Sequence, residues 1–134
     1  MFGRPTRLVF GADGRGLLLL EFRDAFQYPS EVFRLGAGAD KGGRAFRRED
    51  RAVTDVTLLT GGLAYLAAVE PAGRLAWSPV PGKVKLMRSA DTSAWTEMEV
   101  DYRAVARRVI LAVLDADHAW AATDTGMILR LEPR

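Results

Sequence analysis

Residues 109–131 (VILAVLDADHAWAATDTGMILRL) are a series of short apolar runs separated by Asp/Gly punctuation. The run 109–114 is followed by Asp115-Ala116-Asp117. The run 118–123, centred on Trp120, is followed by Asp124-Thr125-Gly126, and 127–131 comes last. Runs of this length are too short to bury the stripe of a helix. Asp and Gly between them suit tight reversals, so the segment predicts antiparallel hairpins.

The same rhythm extends upstream. Strands are expected at 6–10, 17–23, 31–35 and 44–48, with glycine-rich turns at 11–16 and 36–43. The pattern restarts at 52–60 and 63–70 across Gly61-Gly62, then at 83–88 and 95–100. Residues 17–23 lack alternation and are expected to be buried on both faces. Residues 83–88 alternate charged and apolar, as a half-buried strand does. For 102–114, Ala104, Ala106 and Ala112 favour a helix. The dense set Val105, Val109, Ile110 and Val113 favours a strand, and a strand is the reading adopted.

Composition sets outer limits. The 134 residues make one domain or part of one, and 49% hydrophobic with 27% charged residues is ordinary for a globular chain. A formal net charge of +2 offers little electrostatic attraction for nucleic acid, and none is expected as a partner. The basic cluster at 44–51 contains Glu49 and Asp50 and is read as a solvated loop. The chain has no cysteine, which excludes disulfides, thiol catalysis and Cys-ligated metal. No signal peptide and no membrane insertion are expected, because even the longest apolar run, 63–69, is far too short to span a bilayer. The chain as given reads as cytoplasmic; if it was cut from a longer protein, an extracytoplasmic location stays open.

A weak internal repeat is visible. Residues 9–22, 58–70 and 113–124 share an apolar strand, a Gly/Asp turn and a second apolar strand, and Ala64-Tyr65 sits where Ala119-Trp120 sits. A period of about 40–50 residues with four strands per unit is that of β-propeller blades.

Two further motifs point the same way. Ser89-Ala90-Asp91-Thr92-Ser93-Ala94-Trp95 resembles an Asp-box turn between the third and fourth strands of a propeller blade, with Ser93 in place of the usual Gly and the box one residue short. Residues 118–129 are similar to the Gly-Trp…Gly…Ile-Leu core of the photosystem II stability/assembly factor-like propellers, a group within the Asp-box, or BNR-repeat, class. The resemblance covers about residues 52–131. It implies a partial β-propeller of about three four-stranded antiparallel blades, at roughly 4–48, 52–100 and 104–131. It also gives Ser89, Asp91, Trp95, Trp120 and Gly126 structural roles in turns and hairpins.

Propellers usually close with four to eight blades. Three blades alone would leave open sheet edges and apolar faces. The chain is therefore expected to be a piece of a larger propeller or to assemble with copies of itself, a two-fold dimer giving six blades. The outer strand missing from the last blade would come from a neighbour or from residues 1–10. A separate small β-sandwich or barrel is the remaining fold alternative.

No catalytic constellation stands out. His118 is the only histidine, and the nearby Asp115, Asp117 and Asp124 read as turn residues rather than metal ligands, so no metal or other cofactor is expected. Gly-x-Ser-x-Gly is absent, and 11–16 lacks the Gly-Lys-Ser/Thr of a phosphate loop. Sialidase-type chemistry, within the class this chain resembles, would recruit Tyr102 with Glu97, Glu99 or Asp101, and Arg103, Arg107 or Arg108. The reading adopted is a non-enzymatic scaffold that recognises a protein partner through Tyr28, Trp77 and Arg88, since aromatic and Arg groups anchor interfaces. A carbohydrate-active propeller, lectin or glycosidase, is the alternative.

Overall fold

The computed structural model describes residues 4–11, 14–22, 30–36, 43–47, 51–59, 61–70, 82–101 and 103–132. Those residues are all-β and contain no helix. The strands are β1 (Arg4–Phe10), β2 (Gly16–Glu21), β3 (Ser30–Leu35), β4 (Gly43–Arg47), β5 (Ala52–Leu58), β6 (Ala64–Glu70), β7 (Gly82–Ser89), β8 (Thr96–Met98), β9 (Val105–Ala106), β10 (Val109–Asp115), β11 (His118–Thr123) and β12 (Ile128–Leu131). They form three antiparallel up-and-down sheets: β1-β2-β3-β4, β5-β6-β7-β8 and β10-β11-β12. One sheet curls strongly enough to resemble half a barrel.

Residues 103–114 are not helical, but neither are they one strand. Val105–Ala106 pairs with Gly82–Lys83 of β7, whereas Val109 begins the third sheet. The break falls at Arg107 and Arg108, whose backbone N–H groups both donate to Asp124 Oδ1, at 2.9 and 3.2 Å. An aspartate that captures two successive amides bends the chain away from the ladder. Residues 105–106 thereby brace the second sheet before the chain crosses to the third.

The second sheet is covered on both faces. Val53, Val56, Leu58, Ala64, Leu66, Ala68 and Met87 pack against Leu17, Leu19, Val32, Ala45 and Phe46 of the first sheet. From the opposite face, Ala52, Tyr65, Ala67, Val69, Val84 and Leu86 pack against Val109, Ala119, Ala121 and Leu131 of the third. Successive strand residues point to opposite faces, so near-continuous apolar strands such as β6 belong in the middle of a stack. β2 differs from the reading that buried both its faces. Leu17 and Leu19 are buried, while Leu18 and Leu20 on the other side are only half-buried.

A β-bulge in β5 locks the three sheets together. Val53 pairs with Ala68 and Asp55 with Ala67, which leaves Thr54 as the extra residue. Its Oγ1 donates to Val109 O at 2.7 Å and accepts from Val109 N at 3.1 Å. Asp55 Oδ2 accepts from Leu111 N at 2.7 Å, while Oδ1 lies 3.2 Å from Arg7 Nε of β1. The side chains of two buried residues thus serve backbone groups of the first strand of the third sheet. A buried N–H stripped of its acceptor costs about 1–3 kcal/mol. Thr54→Val keeps the shape of the side chain and removes the hydroxyl. It should lower unfolding stability by about 1–3 kcal/mol in chemical denaturation, and an unchanged midpoint would show that Thr54 does not link the sheets.

Candidate functional site

The turn joining β7 to β8 is built by two side chains. Ser89 Oγ accepts from the backbone N–H groups of Asp91 (3.2 Å) and Thr92 (2.8 Å) and donates to Asp91 Oδ1 (3.0 Å). Asp91 Oδ1 accepts from Ser93 N (2.9 Å) and Ala94 N (3.0 Å). Thr92 sits in the left-handed region at φ 63°, a conformation uncommon for a residue with a Cβ and held here by the surrounding bonds. The turn also reaches across to the first sheet. Thr92 O accepts from Arg34 Nη1 at 2.9 Å, and Trp95 Nε1 donates to Ala45 O at 2.8 Å. The Trp95 ring meets Phe46 edge-on, with centroids 6.0 Å apart and planes at 78°. Every function visible in this turn is fastening.

The other sequence-predicted residues do not converge with it. Tyr28 and Trp77 lie outside the described residues. Arg88 is half-buried in β7. Gly126 takes φ 95° in the hairpin between β11 and β12, where its N–H donates to Thr123 O at 3.1 Å. Trp120 stands opposite Ala112 and Arg130 on the face of the third sheet that points away from the second. That face also carries Ile110, Leu114 and Ile128, all exposed.

The groups needed for glycosidase chemistry are dispersed. Tyr102 lies outside the described residues. Arg103 forms a two-pronged pair with Asp101 at 2.7 and 3.1 Å, and that contact pulls the Asp101 carboxyl down to about 2. Arg107 pairs with Asp124, whereas Arg108 reaches Glu21 at the end of β2. Three arginines engaged by three separate carboxylates do not form one substrate-binding cluster. His118 Nδ1 lies 2.8 Å from Asp115 Oδ1, and this contact holds the Asp115 carboxyl below its ordinary value. Among the described residues no group of three or more His, Asp or Glu is placed to hold a metal ion.

Of the basic cluster 44–51, residues 48–50 lie outside the described residues, and the departure from a solvated loop is at Arg51. Arg44 lies in β4 and its Nε donates to Glu31 at 2.7 Å. Arg51 is buried, and its guanidinium bonds Glu97 and approaches Met87 Sδ at 3.5 Å. Arg44 and Arg47 are exposed, whereas Arg51 is buried against residues far away in sequence.

What the sequence reading missed is a cleft of about 550 Å³ between β8 with the segment after it and β12. Its wall includes Leu86, Met98, Val100 and Leu129, and its rim carries acidic residues. The available signal was the unequal strand count of the three units.

The 89–94 turn makes a checkable prediction. The amides of Ala94 and Ser93, and then the Ser89 hydroxyl, hold the Asp91 carboxyl below its ordinary value of 3.8. A carboxylate with a depressed folded-state pKa contributes stability above its unfolded value, and that contribution disappears as pH falls through the folded one. Asp91→Asn should therefore destabilise at neutral pH, and its deficit against the unsubstituted protein should shrink below pH 3.8. A deficit independent of pH in denaturation at both ends of that range would refute the role.

Compared with known proteins, this chain matches no family model, no curated protein and no solved structure.

Proposed function

We propose that the three sheets are consecutive blades of a β-propeller of the Asp-box type. In this reading a second copy completes the ring, and the assembled ring is a non-enzymatic scaffold that binds a protein partner. The observation that carries the reading is a contrast at equivalent positions. Register places Leu17 opposite Val9, Tyr65 opposite Thr57 and Trp120 opposite Ala112, each on the same face of its own sheet. Leu17 and Tyr65 are 0% and 2% exposed because the next sheet covers them, whereas Trp120 is 45% exposed.

The opposite face gives the mirror contrast. Leu8 of β1 pairs with Leu18 as Val56 of β5 pairs with Leu66, yet Leu8 is 54% exposed and Val56 is 0%. Phe10 is exposed beside Leu8, while its counterpart Leu58 is buried. The stack therefore ends in two apolar faces of opposite sense, one on the third sheet and one on the first. Contiguous apolar surface of this kind marks an interaction site. A two-fold operator that lays the third sheet of each copy on the first sheet of the other creates two identical junctions and leaves neither face open. Tyr28, Trp77 and Arg88 remain the side chains proposed to meet the protein partner.

The test is the mass of the particle in solution. Sedimentation equilibrium at micromolar concentration should return a dimer. Trp120→Glu and Leu8→Glu place a charge in opposite halves of the same junction, so each should weaken dimerisation at least about tenfold, since burying an unpaired charge is costly. Circular dichroism should show the β content of both variants unchanged. A monomeric protein at micromolar concentration would overturn the ring.

A further inference from the structure

We propose that the outer edge of β12 is a docking site for one extended segment of a partner protein, which adds as an antiparallel fourth strand to the third sheet. This inference rests on the scaffold reading and names the way the scaffold holds its partner. Its first support is topological. The first and second sheets each end in a fourth strand, β4 and β8, beside their third strand. The third sheet ends at β12, whose outer edge has no strand beside it among the described residues.

The second support is the direction of the backbone groups. The hairpin turn is closed by Thr123 N donating to Met127 O at 2.9 Å. The register continues as Ala122 with Ile128, Ala121 with Leu129 and Trp120 with Arg130. Hydrogen-bonded and non-hydrogen-bonded pairs alternate along an antiparallel ladder, so Leu129 directs its N–H and C=O to β11. Ile128 and Arg130 direct theirs outward, ready to pair with an added strand.

The third support is the cleft beside that edge. A strand laid on β12 would present alternate side chains to the wall formed by Leu86, Met98, Val100 and Leu129. The volume of about 550 Å³ accommodates several of them. Around this floor stand four acidic residues, Glu97, Glu99, Asp101 and Glu132, against two basic ones, Arg88 and Arg130. Asp101 and Glu97 are engaged by Arg103 and Arg51. Glu99 and Glu132 are exposed at the rim. The fitting segment is therefore extended, apolar at every second position, and flanked by Lys or Arg.

The probe is a fluorescein-labelled synthetic peptide of alternating valine and threonine with a lysine at each end. Two control peptides carry glutamate ends or a central proline. Fluorescence anisotropy with the intact chain should show saturable binding of the lysine peptide, about tenfold weaker binding of the glutamate peptide and none of the proline peptide. Arg130→Pro deletes an outward N–H while leaving the bonds of Leu129 to β11 in place, and proline is tolerated on an edge strand. It should abolish binding, whereas Arg130→Ala, which keeps the amide, should retain binding within about threefold.

Failure of the lysine peptide to bind, or equal binding to Arg130→Pro and Arg130→Ala, would overturn the site. So would peptide-independent self-association lost specifically in Arg130→Pro, because the edge would then be occupied by a second copy. Should Arg130→Pro not fold, amide shifts in the unsubstituted protein decide the matter: Ile128 and Arg130 must move on peptide addition. Trp120→Glu should bind the peptide as well as the unsubstituted protein does. Edge binding and ring closure thus succeed or fail separately.

Discussion

The extra residue in β5 is the joint on which the molecule depends. Three sheets stacked face to face gain most of their stability from apolar contact, which is strong but indifferent to small sliding motions. The Thr54–Asp55 pair supplies the missing direction. Thr54 holds both backbone groups of Val109, and Asp55 takes the amide of Leu111 while facing Arg7 of the first sheet. A bulge leaves its extra residue off the ladder and re-aims the side chains beside it, so Thr54 and Asp55 both reach β10. The same irregularity occurs in β1, where Thr6 is the unpaired residue between Pro5 and Arg7.

The fasteners farther out have a different chemistry. Ser30 Oγ accepts from Val53 N at 2.7 Å, and Trp95 and the backbone of Thr92 tie the second sheet to β4 and β3 of the first. The Ser89–Asp91 turn can hold Thr92 in a left-handed conformation because its side chains satisfy the backbone groups that such a bend strands. These bonds secure both margins of the first interface. The second interface has the bulge at its inner margin and the cleft at its outer one. That asymmetry follows from the strand count: a sheet of three strands leaves its neighbour's outer portion uncovered. Both proposals arise from the same unfinished geometry, one from the faces of the terminal sheets and one from the edge of the last strand.

Much of the architecture was legible in local pattern. Tight turns at Gly61-Gly62 and at 124–126 separate apolar runs with strand-like residues, and that pattern leaves little besides hairpins. The correspondence of Tyr65 with Trp120 was also visible, because the repeat lies in the hairpins themselves. Long-range partners left no such trace. Arg51 reads as solvated beside Glu49 and Asp50, yet it is buried by Glu97 and Met87, which approach from β8 and β7. The stretch 105–114 reads as one strand, yet Asp124 from a later hairpin bends it at Arg107 and Arg108.

Sequence alone determined that this chain would form short antiparallel hairpins, because side-chain alternation and turn preference act over a few neighbouring residues. The apolar run 63–69 was visible as well, although not what would cover it. Only the tertiary structure decided which sheet lies inside and which two lie outside. Burial is a property of the neighbours a strand acquires, and the neighbours of Tyr65 and Trp120 differ although the two residues occupy the same place in their repeat. The same holds for Thr54 and Asp55, whose polar side chains find their partners only when Val109 and Leu111 are folded against them.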